Sequence, residues 1–249
     1  MKNIIRISSV VPLLNVADVE FNFEQIKEKI LNITKSDKPD IIAFPELSLT
    51  GYSCGDLFFQ QEMLDSAKKS MISLLCGTNF PNSIIILGLP LTIHGQLYNC
   101  AVVMYQHRIL GIIPKTYLKN FEEKKYFSSS IELKENFVMS NDLGIKNMSN
   151  YSIPVGSNIV FSCNNVKFGV EIGEDLSAPI PPSTHISMNG AEIIINISAS
   201  EQLVGSKKYR ENLIKQHSSN NICDYVFVST GSTESTTDNV FSGNTFFAE

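Results

Sequence analysis

No apolar run in this 249-residue sequence approaches the ~20 residues of a membrane-spanning helix; the longest, 84–91, 101–105 and 193–197, are strand-sized. Residues 1–15 lack the apolar core and cleavage site of a secretory signal. No membrane partner and a cytoplasmic location are therefore expected. A basic cluster is missing too. With 20 Lys+Arg against 25 Asp+Glu the net charge is −5, and no stretch could track a phosphate backbone, which argues against nucleic acid. Cysteine is sparse: Cys54, Cys76, Cys100, Cys163 and Cys223 form an odd set of five with no CxxC pair. That excludes a disulfide framework or a structural zinc site and leaves reduced thiols. Neither GxGxxG nor a P-loop occurs, and His94, His107, His185 and His217 are not spaced for a metal or a Ser–His pair. Neither a metal nor another cofactor is expected.

What is present is a chain able to bury a core, 43% hydrophobic and 18% charged. One α/β domain over 1–249 is the expectation. Strand patterns at 4–14, 40–44, 83–91, 97–105 and 108–113 alternate with helical ones. Val19, Phe23, Ile26, Ile30 and Ile33 recur at helical spacing, and 60–75 is also helical. A turn at His94 and Gly95 separates two of the strands. Residues 115–156 have no sustained period and read as a long connection. Strands return at 158–162, 166–172, 191–197, 225–230 and 240–248, with a helix at 205–221. Both halves carry the same strand–helix string, so two sheets, each under its own helix layer, are predicted.

In such folds chemistry gathers where chain leaves the carboxyl ends of strands. Three exits stand out. Pro45–Glu46 follows the first buried strand, Pro114–Lys115 a later one, and Gly173–Glu174–Asp175 follows 166–172. Glu46 suits a desolvated general base, or else a solvated loop or capping carboxylate. Lys115 suits an oxyanion partner, or else an ordinary solvated lysine. Gly173 reads as a tight turn, and Glu174 and Asp175 as site residues or as acids favouring a helix start. The cysteines read as small buried hydrophobes, and residues 230–237, rich in hydroxyls, as a structured turn.

These exits carry recognisable words. Residues 44–52 (FPELSLTGY) with 54–58 (CGDLF), 114–118 (PKTYL), 169–176 (GVEIGEDL), and 234–238 (ESTTD) with 240–243 (VFSG) resemble the nitrilase, or carbon-nitrogen hydrolase, superfamily. The branch they resemble is the glutaminase domain of glutamine-dependent NAD synthetases. The resemblance implies a four-layer αββα sandwich that hydrolyses the side-chain amide of glutamine and passes ammonia to a synthetase domain. It implies a Glu–Lys–Cys triad in which Glu46 shuttles protons, Lys115 stabilises the tetrahedral intermediate, and the nucleophile belongs at position 173. It also implies substrate-binding roles at Tyr52, Phe121, Glu123, Glu174, Ser200 and Ser206.

The sequence departs from this pattern at its centre. Position 173 is glycine, and without sulfur no thioester can form. The family usually has tyrosine at Phe121, tryptophan at Ser177 and lysine at Ser206, although Lys207 adjoins it. Segment 120–127 is shorter than the family's Glu-rich loop, leaving Glu123 in place of its second glutamate. The expectation is an inactive glutaminase-like domain with no synthetase domain in this chain. Its expected partners are glutamine or a similar amide, a synthetase domain or subunit, and further copies of itself. A non-catalytic binding or interaction protein is the alternative. Cys54 and Cys163, placed in other loops, are poor substitutes for the missing thiol. Glu46, Lys115 and Gly173 are predicted to stand at the ends of neighbouring strands around one pocket.

Overall fold

The computed structural model describes residues 4–77, 80–119, 121–146 and 149–249. Asp18 caps the first helix, its carboxylate accepting the Phe21 N–H at 3.1 Å. Helix α1 (Val19–Ser36) then buries Val19, Ile26 and Ile30, and α2 (Gln61–Cys76) buries Met63, Ala67 and Met71. Both cover a sheet ordered β1 (Ile7–Ser9), β2 (Ile41–Ala43), β3 (Ile84–Ile93), β4 (Gln96–Tyr105), β5 (Arg108–Pro114). Alternation along β2 and β3 decides which side each residue serves. Ile42, Ile85 and Leu87 join the core beneath the helices, whereas Ile41, Ala43, Ile84 and Ile86 face inward.

The inward face meets a second sheet, formed by β8 (Val160–Cys163), β9 (Val166–Ile172), β10 (Ile193–Ser198), β11 (Asp224–Ser229) and β12 (Thr245–Ala248), in the order β12-β11-β10-β9-β8. Phe168, Val170, Ile195 and Val228 fill the shared layer. On the far side, α4 (Pro182–Met188) and α5 (Ser206–Asn221) cover Ile194, Tyr225 and Phe227. The result is an αββα sandwich, as the paired strand–helix strings predict.

Element bounds differ in instructive places. Only Ile7–Ser9 of 4–14 pairs as a strand, and only the last residues of 240–248 do so, because β12 registers against β11 from Thr245 onward. The long connection contains α3 (Phe121–Tyr126) and a small hairpin of β6 (Phe137–Met139) with β7 (Ser152–Pro154). Asn120, at the head of segment 120–127, lies outside the described residues. Helix α4 was not foreseen: seven residues opening on Pro182 are too few to display a helical period.

Strand direction sets where the exits point. β2 runs parallel to β3, while β4 is antiparallel to both β3 and β5, so β2 and β5 end on the same edge. β9, β10 and β11 are mutually parallel. The chain leaving β2 crosses directly over β3 at Gly88, where a Cβ would stand 2.3 Å from Pro45 O and 2.5 Å from Leu47 N. Only glycine permits that crossing.

Candidate functional site

Glu46 stands just beyond β2 and is 2% exposed. Its Oε1 accepts Asn99 Nδ2 and Lys115 Nζ, each at 2.7 Å, and Oε2 accepts the Ala199 N–H at 2.9 Å. The next residue, Leu47, is fully buried with φ +51, a left-handed conformation held by its surroundings. From the other side Glu234 braces the loop, its Oε1 accepting the Ser53 N–H at 2.8 Å.

Lys115 leaves β5 and is 1% exposed. Its ammonium bridges two carboxylates, since it also donates to Glu123 Oε1 at 2.7 Å. The same oxygen accepts Tyr52 OH at 2.7 Å, and Glu123 Oε2 accepts the Lys119 N–H at 2.7 Å. Burial pushes Glu46 above the usual carboxylate range, against the pull of Lys115. Burial also opposes ionisation of Glu123, but the Lys115 charge and the hydrogen bonds outweigh it and hold Glu123 low. Lys115 loses solvation too, yet its two carboxylates raise its pKa and keep it charged. The trio can therefore exchange a proton at Glu46 and present a fixed positive charge beside it.

Gly173 opens a 3-10 turn after β9 with φ +52. A Cβ there would lie 2.6 Å from Glu46 Oε2 and 3.1 Å from Lys115 Nζ. Position 173 thus faces the base and the cation although it belongs to the opposite sheet. Asn196 of β10 donates to Gly173 O at 3.1 Å and reaches Glu171 at 3.4 Å. Asp175 joins the two sheets by accepting Tyr117 N–H at 2.6 Å, with Thr116 and Ile172 N–H groups at 3.2–3.3 Å. Burial pushes Asp175 up to about 8, against the pull of the Tyr117 and Thr116 N–H groups.

All the predicted residues but Phe121 fall into two groups. Glu46, Lys115, Tyr52 and Glu123 form the buried network. Glu174, Ser200 and Ser206 line, together with Gly173, a recess of about 230 Å³. Phe121, 84% exposed, does not line that recess. The three exits do not end neighbouring strands: β3 and β4 separate β2 from β5, and β9 lies in the other sheet. It is the face-to-face stacking of sheets that brings them together. A larger groove of about 960 Å³ lies elsewhere, lined by residues of β1 and β12. Cys54 is buried, donates to Thr50 O, and is pushed up to about 12 by burial, so it stays a thiol at neutral pH.

Sequence reasoning missed Asn99, Asn196, Glu171 and Glu234. The first three had one available signal, a polar residue inside an otherwise apolar strand, which burial requires to be hydrogen-bonded. The Ala199 N–H had none, because backbone donors leave no mark in sequence. Among the described residues no cluster of His, Cys, Asp and Glu is arranged for a metal, and no helix is long and apolar enough to cross a membrane.

The sequence pattern of carbon-nitrogen hydrolases matches residues 5–248. The chain belongs to the carbon-nitrogen hydrolase family. It is 29% identical over 216 residues to the glutamine-dependent NAD(+) synthetase of Mycobacterium tuberculosis, covering 86% of this chain and 31% of that protein. Against the Aquifex aeolicus NAD(+) synthetase it is 31% identical over 218 residues, 86% of this chain and 33% of that one. The chain spans about a third of the length of these curated relatives. The glutamine-dependent NAD(+) synthetase of Cytophaga hutchinsonii shares the fold, with a TM-score of 0.78 at 23% identity over 98% of this chain and 39% of that one. So does an amidase from Nesterenkonia sp., with a TM-score of 0.76 at 15% identity over 98% of this carbon-nitrogen hydrolase and 81% of the amidase. A variant of that amidase carries the acetamide moiety of fluoroacetamide covalently added at its active-site cysteine. The nitrilase-type sandwich and the likeness to NAD synthetases, both expected from the sequence words, hold.

Proposed function

We propose that this chain is a catalytically silent glutaminase-like domain of the NAD-synthetase type. It keeps the base, the lysine and a recess for a small amide such as glutamine, but not the nucleophile. The observation that carries this reading is Gly173, whose missing Cβ would sit 2.6 Å from Glu46 Oε2 and 3.1 Å from Lys115 Nζ. In amide cleavage by a thiol, sulfur bonds to the carbonyl carbon, the base takes the thiol proton and delivers it to departing ammonia, and a cation faces the oxyanion. Glu46 and Lys115 fit the last two roles. The amidase variant whose active-site cysteine has taken up the acetamide moiety of fluoroacetamide, an S-alkylation, supports a nucleophilic sulfur in that relative. Nothing at position 173 can form that bond.

Relatives about three times as long support a synthetase partner, as a continuing domain or a separate subunit. The intact Glu46–Lys115–Glu123 network supports a retained binding role over a wholly lost site.

Ammonia release from L-glutamine tests the reading. The chain as it stands is expected to release none above buffer. Gly173→Cys is expected to gain only weak turnover, because its Cβ would be placed in a left-handed conformation costing ~1–2 kcal/mol and would displace Glu46 from Ala199. Turnover by the unmodified chain that disappears in Glu46→Ala would overturn the silent reading.

A further inference from the structure

The recess beside Gly173 draws its walls almost wholly from the second-sheet half: from the turn after β9, the chain after β10 and helix α5. Among the described residues that line it, Lys119 alone comes from the first-sheet half, on the chain leaving β5. Glu46 and Lys115 are buried and do not line it, so the recess meets their network only at Gly173. The side chain of Lys119 therefore decides how the first half covers this space.

Its ammonium lies 3.0 Å from Oε1 of Glu201, on the chain leaving β10, so the ion pair joins the two halves. The two side chains are 26% and 24% exposed, which places the pair at the boundary between recess and solvent. Both backbones are held. The Lys119 N–H donates to Glu123 Oε2 at 2.7 Å, on the carboxylate that also accepts Lys115. Glu201 O accepts Arg210 Nη2 at 2.9 Å, and the next N–H, that of Gln202, donates to Val240 O at 2.7 Å. Only the two long side chains are left to move, and they part by changing rotamer, without rearrangement of the loops.

A pair of this kind opens readily. Exposed ion pairs favour the paired state by only ~1.4–5-fold, and partial burial, which weakens screening, raises that ratio. Added salt lowers it again. Removing either charge removes the pair altogether and leaves the lining of the recess otherwise in place.

We infer that the Lys119–Glu201 ion pair is a side-chain latch at the mouth of the recess, and that small molecules reach its buried lining at Gly173 and Ser200 when the pair parts. The latch acts on any entrant, so its test needs no glutamine and is separate from that of the silent reading. Iodoacetamide, small and uncharged, is the probe, applied to the full chain carrying Ser200→Cys at a buried position that lines the recess. Peptide mass spectrometry reads the alkylation rate at position 200, with the buried Cys54 and Cys100 as controls for general loosening. Adding Lys119→Gln or Glu201→Gln should raise the rate at position 200 at least ~3-fold and leave Cys54 and Cys100 unchanged. Loss of a cation and loss of an anion move a thiol pKa in opposite directions, so a rise in both variants reports opening and not thiol reactivity. With the pair intact the rate should also climb between ~0.1 and ~1 M NaCl, and without it the rate should stay level. Two results would overturn the latch: a smaller rise in either variant, or a parallel rise at Cys54 and Cys100. If a variant does not fold, the salt response of the Ser200→Cys chain decides, and a level response overturns the assignment. Ser206→Cys, on the same lining, is the reporter if Ser200→Cys itself does not fold.

Discussion

Lys115 is the residue on which the candidate site balances electrically. It is 1% exposed, between two carboxylates that are 2% and 4% exposed, and it donates to each of them at 2.7 Å. Replacing it with methionine keeps the volume and removes the charge. Glu46 and Glu123 would then be buried without their cation, a loss of ~3–5 kcal/mol at neutral pH. The pH dependence follows from the sign of the shifts. In Lys115→Met both carboxyls would hold folded pKa values above their unfolded ones, so the folded form binds the extra protons. Its stability is regained as pH falls toward the ordinary carboxylate range and lost as pH rises. Urea denaturation at pH 5 and pH 8 should show the larger deficit at pH 8. An equal deficit at both would mean that the charge of Lys115 is not what it contributes.

At the scale of elements, two glycines mark where one element meets another. The loop after β2 passes over β3 at Gly88, and helix α4 rests on β9 at Gly169, where a Cβ would fall 2.1 Å from Ile186 Cγ2. The obstacles differ in kind. At Gly88 they are the backbone atoms Pro45 O and Leu47 N, which also fix the Glu46 loop, whereas at Gly169 they belong to one side chain. Gly88→Ala is therefore expected to cost at least ~3 kcal/mol, beyond the usual overpacking range, and Gly169→Ala ~1–3 kcal/mol, as Ile186 changes rotamer. Thermal melting of the two variants gives the order, and a smaller loss at Gly88 would contradict the rigid crossing.

Across the whole molecule, the layer between the sheets sets the site, because residues of β2, β5 and β9 meet only if that layer keeps its thickness. Phe168 is fully buried there and stacks on Phe161 at 5.3 Å between centroids. Phe168→Ala is expected to lose ~3–5 kcal/mol, and Phe121→Ala, at an 84% exposed position, less than ~0.5 kcal/mol. Denaturant midpoints at unchanged slope measure both. A large loss at Phe121 would show that its ring packs against something in solution.

The sequence by itself determined the layers of this protein and the chemical types at its centre. Period-2 and period-3.6 patterns are local, so β2, β3, β9, α1 and α2 could be read from residue spacing, as could the doubling of the strand–helix string. The words around Glu46, Lys115 and position 173 named the three participants and the absence of sulfur. Only tertiary structure decided that they meet. Glu46 and Lys115 are separated by two intervening strands, and position 173 reaches them across the gap between sheets. Contacts of that kind depend on strand order and sheet stacking, which spacing along one strand does not encode. The same holds for Asn99 and the Ala199 N–H on Glu46. Each is defined by what surrounds it in space, and burial, not residue type, gives it its force.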